Sequence, residues 1–148
     1  MQVAVLADTH DRLPACLPPL LAGADEIWHL GDVCSPAILD SLNGLGPRLR
    51  VVRGNCDDCL DWPMSLEFEI EGLRIHLTHI PPSRAPAKVD LLLHGHTHVP
   101  RFERIGSALF LNPGCITRPN RGAPPSWARL VLRRGETVGW QIEMVPRG

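Results

Sequence analysis

Seven side chains able to bind a metal are strung along this chain: Asp8, His10, Asp32, Asn55, His79, His96 and His98. Carboxylate, amide oxygen and imidazole are the donors that suit divalent first-row metals. Nearly every one of the seven follows an apolar run, where a strand leaves its sheet and α/β folds place their chemistry. Seven donors are more than one ion needs and suit two ions that share a carboxylate. A pair of ions roughly 3.5–4 Å apart is a general device for hydrolysing phosphate esters. The pattern therefore predicts a two-metal phosphoesterase.

The spacing within each segment supports this. Asp8 and His10 flank one residue just past the first apolar run, and positions i and i+2 can converge as a chain leaves a sheet edge. Asp32 follows Leu30-Gly31, and glycine lets the backbone approach a neighbour closely. Its two oxygens could bridge two ions. Asn55 follows Arg53-Gly54 and offers a neutral donor that limits the total charge. Gly95-His96-Thr97-His98 is the most specific segment, because two histidines after buried aliphatics cost burial energy unless something uses them. Taken singly, each segment reads as an ordinary turn or a structural histidine; the weight lies in the series. His29 and His76 read as structural, His94 as a core residue or a support for the site, and Asp57 is a candidate to orient the imidazoles that the sequence does not place.

The elements that must position these residues can be inferred from periodicity. Val3–Ala7, Glu26–Leu30 and Leu49–Val52 read as buried strands, with helices over Leu13–Leu21 and Pro36–Leu42 between them. This βαβαβ pattern implies parallel strands with helical cover. In the second half, Leu66, Phe68 and Ile70 alternate with glutamates, and Leu73, Ile75 and Leu77 alternate with Arg74, His76 and Thr78. A tight hairpin turn there would set Glu69 against Arg74 and Glu67 against His76. Val89–Leu93 and Ala108–Leu111 read as short buried strands. A final hairpin runs from Ala128–Leu132 through Arg134-Gly135 to Val138–Met144. Two sheets, each hiding one face against the other with helices outside, satisfy all of this in a single domain, residues 1–148. Proline-rich loops fall at Ile80–Pro86 and Pro119–Pro125.

Composition narrows the function. With 15 basic and 16 acidic residues, nothing points to a polyanion-binding surface. Arg118, Arg121 and Arg129 make only a loose cluster, and the absence of Tyr argues against a base-stacking platform. No apolar stretch approaches the ~20 residues of a membrane span, and Asp8 interrupts the first apolar run too early for a signal peptide. Five cysteines without regular spacing fit reduced thiols better than a secreted disulfide framework, and Cys56-x-x-Cys59 lacks a second pair to complete a zinc site. The expectation is a cytoplasmic protein with no membrane partner. Trp127, read as exposed, hints at a sticky surface and leaves homo-oligomerisation open.

In this order, the segments resemble the calcineurin-like metallophosphoesterases, and among them the small bacterial and archaeal phosphodiesterases to which the eukaryotic retromer scaffold subunit is related. The resemblance runs from Asp8 through Asn112-Pro113-Gly114. It implies a four-layer αββα sandwich, two mixed β-sheets flanked by helices. It also implies that Asp8, His10 and His98 hold one ion, Asn55, His79 and His96 the other, and that Asp32 bridges them. Asp32, Asn55 and His96 would also serve catalysis, Asn55 by touching the phosphate. Hydroxide bridging the ions would attack phosphorus in line, in a small-molecule phosphate ester. Manganese is the first expectation for the ions, with iron, cobalt, nickel and zinc also suited.

Three departures from the family pattern stand out. Cys56 replaces the histidine that often follows the Asn, and a neutral thiol cannot supply the charge of an imidazolium; substrates with good leaving groups, or another proton donor, follow from that. Ile80-Pro81-Pro82 follows His79 where the family usually has Gly, so a loop beside the site is remodelled. Asp11 adds negative charge after the first histidine. The alternative is a metal-binding, catalytically weak interaction scaffold of the same fold.

Overall fold

The computed structural model describes residues 1–147. The elements are β1 (Gln2–Leu6), α1 (Pro18–Leu21), β2 (Glu26–His29), α2 (Pro36–Asn43), β3 (Arg48–Val51), β4 (Ser65–Ile70), β5 (Leu73–Thr78), β6 (Leu91–Leu93), β7 (Arg101–Ile105), β8 (Ala108–Asn112), β9 (Ser126–Val131) and β10 (Gly139–Met144). They form two mixed five-stranded sheets, ordered β10-β9-β1-β2-β3 and β4-β5-β6-β8-β7. The β1-β2-β3 and β5-β6-β8 neighbours are parallel and the outer pairings antiparallel.

Strand alternation decides which face meets which. Val3, Val5, Trp28, Ala128 and Leu130 of the first sheet pack against Ile75, Leu77, Leu91, Leu93, Leu109 and Leu111 of the second, forming the core between the sheets. The opposite face of the first sheet, with Ala4, Leu6, Ile27 and Trp127, packs under Leu17 and Leu21 around α1 and Ile38, Leu39 and Leu42 of α2. The outer face of the second sheet is covered differently. Leu92 and Phe110 lie under Ala85 and Val89 of the proline-rich connection, not under a helix.

The β4–β5 hairpin has the predicted register, Glu67 opposite His76 and Glu69 opposite Arg74. Glu71 and Gly72 both take positive φ, 53° and 79°, as a two-residue hairpin turn twisted to match its strands requires.

Three local readings need correction. The first helix covers only Pro18–Leu21, because Pro14, Pro18 and Pro19 lack the N–H groups that a longer helix needs; Pro18 sits at its start, where that lack costs nothing. β7 was absent from the periodic pattern because this edge strand is largely charged and exposed, with Phe102 63% accessible. Trp127 is not exposed: at 1% accessibility it lies in the helix-side core, since β9 is flanked by β1 and β10 and its outer face is covered.

Candidate metal centre

All seven residues singled out from the sequence lie just past strand ends: Asp8 and His10 after β1, Asp32 after β2, Asn55 after β3, His79 after β5, and His96 and His98 after β6. Backbone bonds lash these loops together. The N–H of Asp8 donates to Gly31 O (3.0 Å) and that of His10 to Asp32 O (3.0 Å) within the first sheet, that of Gly95 to His79 O (3.1 Å) within the second, and His96 N–H donates to Asp8 Oδ2 (3.2 Å) across the two.

The side chains converge around two carboxylates. Asp8 Oδ1 lies 3.3 Å from His98 Nε2, 3.7 Å from His10 Nε2 and 3.8 Å from His79 Nε2. Asp32 Oδ2 lies 3.3 Å from His79 Nε2 and 3.9 Å from His10 Nε2. His10 and His98 bring their Nε2 atoms to 3.3 Å, and Asn55 Oδ1 stands 3.1 Å from His96 Nδ1. Five of the seven (Asp8, His10, Asp32, His96 and His98) hold left-handed backbone at φ 45° to 71°. Such conformations cost free energy in non-glycine residues and persist where surrounding contacts enforce them, typically at functional sites.

Two of the four imidazoles are aimed by hydrogen bonds from their second nitrogen. His79 Nδ1 donates to Leu30 O (2.7 Å) and His98 Nδ1 to Arg118 O (2.6 Å), leaving both Nε2 lone pairs facing the carboxylates. His10 Nδ1 lies 3.8 Å from Cys34 Sγ. Such outer partners fix the tautomer and orientation of a metal-binding histidine.

The arrangement fits divalent cations on its own evidence. Asp8 Oδ1 and His79 Nε2 are buried acceptors with no hydrogen-bond partner among the described residues, a costly state unless something else occupies them. Donor atoms sharing one ion at about 2.0–2.2 Å stand about 3.0–3.5 Å from each other, close to the separations between these side chains. Asp8, Asp32 and His79 form one compact donor group, and His10 and Asp32 another with Cys56.

The two carboxylates are pushed apart electrostatically. Burial raises the Asp8 carboxyl to about 6, against the pull of His79 and His98. Burial also works against Asp32, but the adjacent His79 imidazole and a hydrogen bond from the Cys56 N–H (2.9 Å) overcome it and hold that carboxyl well below the usual range. For His79, burial is outweighed by Asp32 and Asp8, so protonation is favoured. A proton must leave before that nitrogen can bind a cation.

Glycine is obligatory at two points. A Cβ on Gly54 would overlap the Asp32 carboxylate, and one on Gly31 would lie 2.8 Å from His79 Nδ1. Gly54→Ala should therefore displace Asp32 and lower phosphoesterase turnover about a hundredfold, with secondary structure retained by circular dichroism. Undiminished kcat would show that the overlap is relieved without moving the site.

Several supporting residues were not placed by sequence reasoning. Asp57 Oδ2 accepts from the N–H groups of Asp32 (2.9 Å) and Gly54 (2.7 Å), and its Oδ1 accepts from Cys34 N–H (2.8 Å). It thus staples the Asp32 and Asn55 loops. Asn112 braces the His96 loop through Gly95 O (3.2 Å) and Thr97 Oγ1 (3.0 Å), while its own Oδ1 accepts from Gly114 N–H. His94, buried as expected, donates from Nδ1 to Gly95 O and accepts at Nε2 from Arg101. Asn112-Pro113-Gly114 carried a signal as part of the family resemblance, while Asp57 and His94 stood as candidate supports without an assigned place. Of the loose arginine cluster, Arg129 pairs with Glu143 and stacks on Trp127, whereas Arg118 lies at the site, its carbonyl holding His98.

His29 supports the Asp8–His10 loop. Its Nδ1 accepts from Gly31 N–H (3.2 Å), so its proton sits on Nε2, which donates to Thr9 Oγ1 (3.1 Å); that hydroxyl donates to Val33 O. Complete burial depresses its pKa to about 3. With the folded value depressed, the unfolded chain takes up the proton first. The stability is therefore full above pH 6.5 and is lost as pH falls toward the folded value. In urea titrations of metal-free protein between pH 6.5 and 5, His29→Gln should lose less stability than wild type, by a difference that grows toward about 1.4 kcal/mol per pH unit at the acid end. Equal slopes would contradict the neutral buried imidazole.

Two mixed sheets with acidic and imidazole donors gathered at their strand ends define a metallophosphoesterase architecture. The family model of the calcineurin-like phosphoesterase superfamily domain matches residues 1–135, and the chain belongs to that superfamily of phosphoesterase hydrolases. Among its relatives, Phosphodiesterase YfcE of Escherichia coli (strain K12) is 33% identical over 161 residues, covering 88% of this chain and 87% of its own. A solved structure of the E. coli phosphoesterase Yfce superposes with a TM-score of 0.75 at 30% identity, over 88% of each chain. A probable metallophosphoesterase of Methanothermobacter thermautotrophicus is 33% identical, covering 96% of this chain and 91% of its own. Vps29 of Entamoeba histolytica, solved in complex with zinc, shares the fold at a TM-score of 0.78 and 24% identity, over 97% of this chain and 98% of its own. No helix among the described residues is long and apolar enough to cross a membrane.

Proposed function

We propose that this protein is a phosphodiesterase that hydrolyses small phosphate diesters with two divalent cations, manganese first among them. The observation that carries the reading is the pair of unpartnered buried acceptors, Asp8 Oδ1 and His79 Nε2, within a ring of donors 3.3–3.9 Å apart. The identity with a named phosphodiesterase supports the choice of diester.

Asp8, His10 and His98 would hold one ion, Asn55, His79 and His96 the other, with Asp32 shared. Two such cations, when bound, supply Lewis acidity toward phosphoryl oxygens and an activated water at neutral pH. The chain's own contribution is positioning. The depressed pKa keeps Asp32 anionic, and the hydrogen bonds to Leu30 O and Arg118 O hold His79 and His98 in the tautomer with a free Nε2. Asn55 presents its amide at the open side of the site, where it can meet the phosphate. Burial and the neighbouring Asp32 push the Cys56 thiol up, so it stays neutral at pH 7 and brings no cationic charge to the departing oxygen. Substrates with good leaving groups should therefore be favoured. The five free thiols fit a working place in the reducing cytoplasm.

Purified protein loaded with manganese is expected to hydrolyse bis-p-nitrophenyl phosphate with a higher kcat/KM than p-nitrophenyl phosphate, and to lose both activities in chelator. Preference for the monoester would contradict the diesterase reading.

A further inference from the structure

Beside Asn55 and His79 lies a cleft of about 560 Å³. That volume suits a nucleotide-sized ligand. Its apolar walls include Met64 and Ile80, which are 57% and 50% exposed, while most large apolar side chains of this protein are buried. Pro81 and Pro82 stiffen the wall next to His79.

Two arginines, Arg53 and Arg84, line the same cleft. Arg50, Arg74, Arg101, Arg129 and Arg133 are each paired with a glutamate. Arg53 and Arg84, like Arg12, Arg48, Arg104, Arg118, Arg121 and Arg134, have no such partner among the described residues, but these two line the cleft beside the centre. Arg53 is held from behind: its backbone N–H donates to Pro63 O (2.7 Å) and its Nε to Met64 Sδ (3.2 Å). Its terminal nitrogens have no hydrogen-bond partner among the described residues. A guanidinium fork without a carboxylate, facing a cleft beside a phosphoesterase centre, is suited to bidentate contact with an anion.

We propose that this cleft is a subsite for one arm of the diester, and that the arm it takes carries a second phosphate on a nucleoside-like body. Arg53 and Arg84 are its specificity-determining residues, and the Met64 and Ile80 walls receive the apolar or planar part. The inference rests on the phosphodiesterase reading and names its substrate class.

The test compares thymidine 5′-(p-nitrophenyl phosphate) with the same ester bearing a 3′-phosphate, so the scissile bond and leaving group are identical. In manganese-loaded wild type the 3′-phosphorylated ester should have a kcat/KM about tenfold higher, carried by KM. In Arg53→Gln/Arg84→Gln the ratio should fall to about one. Calorimetry with thymidine 3′,5′-bisphosphate and thymidine 5′-monophosphate should give the same ratio as dissociation constants, without turnover. A ratio of one in wild type by both measures, with bis-p-nitrophenyl phosphate still hydrolysed, overturns the subsite and leaves the diesterase standing. If no diester is hydrolysed, the diesterase reading falls and takes this inference with it.

Discussion

Asp32→Asn should lower manganese-dependent hydrolysis of bis-p-nitrophenyl phosphate by about a thousandfold, or about 4 kcal/mol of transition-state stabilisation. The substitution preserves shape, so the loss isolates charge. An amide oxygen can still accept the Cys56 N–H, but the amide nitrogen then stands where Oδ2 faces His79 at 3.3 Å and His10 at 3.9 Å. A shared anionic oxygen is replaced by a neutral amide nitrogen that cannot bind a cation. Manganese content, read by atomic absorption after desalting, should fall together with kcat. If kcat is retained at full occupancy, Asp32 has no role in the reaction.

Asp57→Ala should destabilise the protein by about 3–5 kcal/mol, because three N–H groups on two loops lose a charged acceptor at once. Urea denaturation of metal-free protein measures this. Catalysis should also fall, by about a hundredfold, though Asp57 is not one of the seven donors. Without it, Asp32 and Asn55 are no longer held to a common loop geometry, and a misplacement of about 1 Å can cost about a hundredfold in rate. A stability change below about 1 kcal/mol would mean that water replaces the carboxylate and that the staple is dispensable.

The contrast between Asp32 and Asp57 shows what the sequence could and could not reveal. The seven donors were legible because each follows an apolar run, and strand ends in such sheets are brought together by topology whatever the loops do. The hairpin register was legible because Glu67, Glu69, Arg74 and His76 alternate strictly with apolar residues. Asp57 was legible as a candidate but not in its role, since an acidic residue in a Cys-Asp-Asp-Cys loop looks like any solvated turn until the backbone of another loop arrives beneath it. The same holds for Asn112 and His94, whose roles depend on contacts between chain segments far apart in sequence. The shortened first helix was foreseeable from its prolines, whereas β7 was hidden by its charge. Trp127 was misread because burial on the helix-side face depends on what packs over β9, which strand alternation does not specify.

The most direct measurement of the central claim is a titration of metal-free protein with manganese, following bis-p-nitrophenyl phosphate hydrolysis and bound metal together. Turnover should rise to a plateau at two ions per chain, and be absent before metal is added. Two ions bound with no turnover of any diester would contradict the account and point to a metal-holding scaffold of the same fold.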